Sequence, residues 1–315
     1  MTNDNPLDAA TPAHERPLAI SLLLGVSGWV AGVFMLIFVA MLFHPDTASQ
    51  AAVSGGLLLA AAWGLFKVDG DGAQVFVAQL ALALSIAGQC LMLFAMSEHA
   101  HGIAPVASAA LLLQTVLALA MPNRLHRTLS TLFATIAWAL TLRFALFGEP
   151  DYWNGSATPH AASLPLALAG WLLAWGPIVA GVWWAIRRER AWSVRGWRPV
   201  LQPIVTGLIV GLAFATLASY PFESFRWFGE GEADGGGLAL WPLLSALGAL
   251  AAVVAAFARR QRGLMAVCVV AVLAHVAHFY YALGTSLLTK SLLMLAMGGA
   301  CIVAARAFNS TKEPA

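Results

Sequence analysis

Ten stretches of mostly apolar residues follow one another with only short polar breaks, at 18–43, 50–66, 74–97, 103–120, 128–147, 163–186, 200–220, 238–258, 263–282 and 286–305. A helix of about 20 apolar residues crosses the hydrocarbon core of a bilayer. Inside lipid, only helices and closed barrels satisfy their own backbone. The pattern therefore predicts an all-α, polytopic transmembrane helix bundle of about ten spans. Composition agrees, with 10% charged residues and a mean hydropathy of +0.78, where soluble domains carry about 25% charge. No soluble block large enough for a second core interrupts the runs. The chain reads as a polar cytoplasmic N-terminus at 1–17, disordered in character, one transmembrane domain at 18–307 and a cytoplasmic tail at 308–315. The first run is too long for the apolar core of a signal peptide and should stay as an uncleaved anchor.

The charges orient the bundle. If the N-terminus faces the cytoplasm, 14 of the 17 Lys and Arg residues fall in inner segments, from Arg16 to Lys312. Arg226 lies in an outer loop, and Arg143 and Lys290 fall inside spans. Basic residues near membrane ends stay on the cytoplasmic side, so both termini are placed there. A miscounted span would break this alternation. The net charge of +2 carries no sign of nucleic-acid binding; the expected surroundings are the lipid bilayer, with another membrane protein as partner.

Two loops stand out. The inner segment 187–199, RRERAWSVRGWRP, combines five Arg with Trp192 and Trp197, after Trp183 and Trp184. Such rings and cations suit the headgroup level of an anionic leaflet. This leaves topology anchoring, the simpler reading, beside a specific lipid site. The outer loop 221–237 carries Phe222, Phe225, Trp227 and Phe228 before GEGEADGGG. Its alternating Glu230, Glu232 and Asp234 lack the rest of a calcium-loop pattern. Cys90, Cys268 and Cys301 sit in apolar runs without a CxxC pair and read as small buried hydrophobes.

Within the spans, small residues at four-residue spacing, Gly28 with Gly32, Gly56 with Ala60 and Gly64, and Gly207 with Gly211, predict close helix packing. Gly176–Pro177 predicts a bend in the sixth span. Gln79, Ser85, Gln89 and Gln114 are uncharged polar groups at membrane depth and read as interhelical hydrogen-bond partners, with a substrate path as the sharper alternative.

The candidate polar site is His275, His278, Tyr281, Lys290 and Arg143. His275 and His278 share a helix face in the outer half of the ninth span, Tyr280 and Tyr281 mark the outer interface, and Lys290 lies on the returning helix. Arg143, near the outer end of the fifth span, can snorkel toward Glu149 and Asp151. Paired histidines supply metal or haem ligands or a proton relay. Those uses need further ligands or acids, and no Asp or Glu lies at membrane depth. His44, His99, His101 and His160, with Glu98, add outer-loop histidines. Structural hydrogen bonding is the simpler reading. No catalytic, cofactor or metal residue is assigned, and the cofactor is unknown.

The segment FYYALGTSLLTKSLLMLAMGGACIVAAR resembles the closing hairpin of the domain-of-unknown-function family 4401 of bacterial inner-membrane proteins. The resemblance rests on Phe279, Tyr280, Tyr281, Leu287, Leu288, Lys290, Ser291, Gly298 and Gly299. QLALALSIAGQCLMLF at 79–94 is similar to the family's early helix. The resemblance implies a bacterial inner membrane, a compact bundle and a membrane partner, and no reaction.

Three functions follow as expectations. The first is a binding or assembly component of the cell envelope acting with a membrane partner. The second is a small-solute transporter, whose two inverted five-span halves would divide near 148–162. The third is a metal or haem protein using His275 and His278. No HExxH, serine-nucleophile, Walker or dinucleotide motif supports an enzyme.

Overall fold

The computed structural model describes residues 18–43, 47–68, 75–100, 102–147, 164–218, 240–282, 286–292, 294–296 and 298–299. Its regular elements among these residues are α1 (Leu18–Phe43), α2 (Ala48–Val68), α3 (Val75–Ser97), α4 (Ile103–Ala120), α5 (Arg124–Phe147), α6 (Leu164–Val194), α7 (Arg198–Ala218), α8 (Leu240–Ala258) and α9 (Arg262–Ala282). A helical stretch, Leu287–Ala296, follows. Five segments are long and apolar enough to cross a membrane: Ala48–Val68, Phe76–Ser97, Ile103–Ala120, Arg124–Leu146 and Leu168–Glu189. The fold is thus that of a helical membrane protein.

Local chemistry sets the helix ends. Met121 leaves the helix with φ −73° and ψ 133°, because the residue before Pro122 is pushed into extended backbone. Asn123 then caps α5, its Oδ1 accepting the His126 N–H at 3.1 Å. This starts α5 at Arg124, earlier than the apolar run at 128. The largest departure from the hydropathy pattern is α6, which runs on to Val194 although its apolar run ends near 186. Arg, Glu and Ala are good helix formers, so losing hydrophobicity does not end the helix. It ends in a Schellman turn: Gly196 has φ +73°, its N–H bonds Ser193 O at 3.4 Å, and Trp197 N–H bonds Trp192 O at 3.1 Å. Most of the expected 187–199 loop is therefore helix.

The helices form two compact units, Met1–Arg127 and Thr128–Ala315. In the first, α3 packs on α1, α2 and α4. Its centre is rich in small residues, and Ala81, Leu82, Ala83, Leu84, Ala87 and Gly88 are all buried. The closest approach is reciprocal: a Cβ on Gly55 would lie 2.8 Å from Gly88 O, and one on Gly88 2.7 Å from Gly55 O. Gly28 is likewise tight against Gln79 and the Phe76 carbonyl. The expected Gly56–Ala60–Gly64 face is not the packed one. Among the described residues, a Cβ on Gly56 or Gly64 would meet nothing within 4 Å, while Ala51, Gly55, Leu58, Ala62 and Phe66 are buried. A step of one residue turns a helix by about 100°, which separates the two faces.

In the second unit, α7 packs on α6, α8 and α9. The core gathers Trp175, Ile178 and Val182 from α6, Ile209 and Leu212 from α7, Ala252 and Ala256 from α8, and Cys268 and Ala271 from α9. Gly207 and Gly211 meet Thr131 and Thr135 of α5, so this pair is packed as its spacing predicts.

Candidate functional site

The first unit holds a string of buried polar side chains. Gln114 Nε2 on α4 donates to Gln89 Oε1 on α3 at 2.7 Å. Gln89 Nε2 donates to Ser85 Oγ one turn earlier at 3.1 Å, and Ser85 Oγ lies 2.6 Å from His126 Nε2. Gln89 Nε2 also lies 3.4 Å from His126 Nε2, and these contacts fit one direction of donation, with the Ser85 hydroxyl donating to an unprotonated His126 Nε2. His126 is 1% exposed, and Phe66 meets its ring edge-on at a 5.7 Å centroid distance. Gln79 is engaged separately, accepting from Trp29 Nε1 of α1 at 2.9 Å. The four polar residues noted in the third and fourth runs are thus hydrogen bonded between or along helices. His126 escaped the sequence reading because Arg124 and Arg127 make it look interfacial. The Asn123 cap three residues earlier was the available signal.

The sequence-predicted site lies in the second unit. His275 is 1% exposed, and its Nε2 lies 2.9 Å from Ala213 O of α7. A carbonyl only accepts, so Nε2 carries the proton and donates. Lys290 Nζ sits 5.1 Å from the Tyr280 ring centroid, and the Arg143 guanidinium 5.5 Å from that of Phe144. These contacts engage three different groups. The side chains of His278 and Tyr281 lie outside the described residues, as do His44, His101, His160, Glu149, Asp151 and the 221–237 loop. His99 is described, with Nδ1 3.3 Å from Ala95 O at the end of α3. Among the described residues no three His, Cys, Asp or Glu side chains come together.

A second polar centre lies where the end of α6 meets the start of α7 and the α8–α9 turn. Ala185, Glu189 and Trp192 of α6, Arg198, Leu201, Gln202 and Val205 of α7, and Arg259 line a small cleft. Arg259 Nη2 lies 3.6 Å from Glu189 Oε1, with the Arg259 side chain 4% exposed and that of Glu189 40% exposed. Burial pulls the Arg259 guanidinium below its usual range; Glu189 pushes it back up, and Arg198 draws it down. The next residue, Arg260, holds a left-handed φ of +53°, a conformation that costs a non-glycine residue about 1–2 kcal/mol.

The model of the family described as Domain of unknown function (DUF4401) matches residues 17–228 and 236–310. The chain belongs to DUF4401. No curated protein and no solved structure matches it. The DUF4401 match takes in both stretches that carried the resemblance, 79–94 and 279–306. In this DUF4401 chain the Leu-Leu-x-Lys-Ser step opens a helix. Ser286 Oγ accepts the Thr289 N–H at 3.4 Å, and Lys290 N–H bonds Ser286 O at 3.1 Å. The same early DUF4401 helix supplies Gln79, Ser85 and Gln89.

Proposed function

We propose that this DUF4401 chain is a bacterial inner-membrane protein of about ten spans, with both termini cytoplasmic. Its role is a binding or assembly component of the cell envelope acting with a membrane partner. The observation that supports this reading is the engagement of buried polar side chains inside the packing. Ser85, Gln89, Gln114 and His126 bond one another, His275 bonds Ala213 O, and Trp138 Nε1 donates to Ala174 O at 3.0 Å. Polar groups used this way hold helices together in lipid and favour a fixed scaffold over a wet solute path. Charge alternation supports the topology, and the membership supports the membrane.

The division into two compact units favours the second reading, carriage of a small solute by two halves. Its boundary at Arg127 differs from the 148–162 segment that a five-plus-five inverted repeat requires, which weakens that plan. The experiment is affinity purification at native expression in a mild detergent, paired with solute uptake by proteoliposomes. A second membrane protein retained through purification supports the assembly role. A chain that purifies alone and moves solute contradicts it.

A further inference from the structure

Arg259 is a nearly buried cation whose donors are incompletely used. A guanidinium has five N–H donors. Here one terminal nitrogen faces Glu189 at 3.6 Å, too long for a hydrogen bond. Nε is buried without a partner among the described residues. Leaving such a donor in an apolar setting is costly, and the Arg259 side chain is among those that line a cleft with room for about one water. The cleft reaches the surface beside Arg198, which is exposed in the first turn of α7. Two arginines against one carboxylate leave one positive charge. The side amide of Gln202 and the Trp192 ring complete the walls.

We infer that this cleft binds a phosphate group of low charge, such as the phosphodiester of an anionic phospholipid headgroup. One phosphoryl oxygen enters where a single water fits and accepts from the Arg259 guanidinium, while a second oxygen meets Arg198, which is exposed. Arginine suits this role because its planar fork matches phosphate oxygens. The setting agrees: Arg187 lies over the Trp183 ring at 4.4 Å, and Trp184 meets Trp192 at a 5.3 Å centroid distance. A lipid as the source rests on the proposed topology, which puts this end at the inner leaflet; the phosphate chemistry does not.

The test uses the full chain, delipidated in a neutral detergent, titrated with dioctanoylphosphatidylglycerol, dioctanoylphosphatidylcholine or inorganic phosphate. Adducts are counted by native mass spectrometry. The wild type should retain one phosphatidylglycerol in preference to phosphatidylcholine. R198Q and R259Q should each weaken it about tenfold, as loss of a charge-assisted bond implies, while R262Q, exposed outside the cleft, stays within about twofold. If R259Q fails to accumulate, R198Q against R262Q decides. Phosphatidylglycerol without inorganic phosphate identifies lipid as the source. Inorganic phosphate binding with the same sensitivity to the variants identifies free phosphate, and either result supports the site. Equal affinities of R198Q and R262Q for phosphatidylglycerol and for inorganic phosphate alike would overturn it.

Discussion

Ser85 Oγ and His126 Nε2 lie 2.6 Å apart, joining the middle of α3 to the first turn of α5 across 41 residues of chain. That bond is the most buried link in a string whose other members are Gln89 and Gln114. It ties α3 to the first turn of α5 within the first unit.

A double-mutant cycle of Ser85→Ala and His126→Leu tests this link. Interhelical hydrogen bonds in membrane proteins average about 0.6 kcal/mol and reach about 1.7. A 2.6 Å bond between two buried side chains belongs at the upper end, so unfolding in detergent should show a coupling of about 1–1.7 kcal/mol. Additive single-variant effects would show that the two groups do not stabilise each other.

The glycine contacts predict different outcomes at Gly88 and at Gly56. Gly88→Ala places a methyl against the Gly55 carbonyl oxygen, and backbone cannot yield cheaply, so a loss of about 1–3 kcal/mol is expected. Gly56→Ala meets nothing within 4 Å among the described residues and should leave stability equal or raised by about 0.5–1 kcal/mol. Measured melting temperatures of the two variants should therefore move in different directions or by clearly different amounts.

The sequence made most helix bodies legible, because about 20 apolar residues leave few alternatives. The 103–120 run coincides with α4, and 74–97 differs from α3 by one residue. The end of α6 was not legible from hydropathy, since helix propensity and hydrophobicity diverge in Arg187–Val194. Nor did small-residue spacing identify the packed face of α2, because spacing alone does not fix rotation against a neighbour. The polar residues of α3 and α4 were readable as hydrogen-bond partners, but which groups they meet depends on tertiary packing. Arg259 read as one inner-loop charge among many, and only the left-handed turn at Arg260 and the end of α6 reveal its burial.

His275 donates to the Ala213 carbonyl through Nε2, a contact that holds α9 to α7. His275→Ala should lower thermal stability by about 1–2 kcal/mol. Metal content and visible absorption of untagged protein should be the same in the wild type and in the His275→Ala, His278→Ala double variant. A stoichiometric metal or haem band lost in the double variant would make this pair a cofactor site.

Lys290 contacts the Tyr280 ring and is only partly buried. A cation–π contact in such a place contributes about 0.5–1 kcal/mol, so Lys290→Met should accumulate at near wild-type abundance in membranes. Loss of function at unchanged abundance would instead identify Lys290 as part of a working site, and loss of the protein would reveal a pairing essential to the fold.

The proposed role of this DUF4401 chain is as part of a membrane assembly. Its most direct test is the mass of the particle extracted from native membranes in polymer nanodiscs, with lipid removed in the gas phase. We expect a particle heavier than the 33.2 kDa chain by a second, different membrane protein in fixed ratio. A particle containing only this chain, at native expression and without prior detergent, would contradict it.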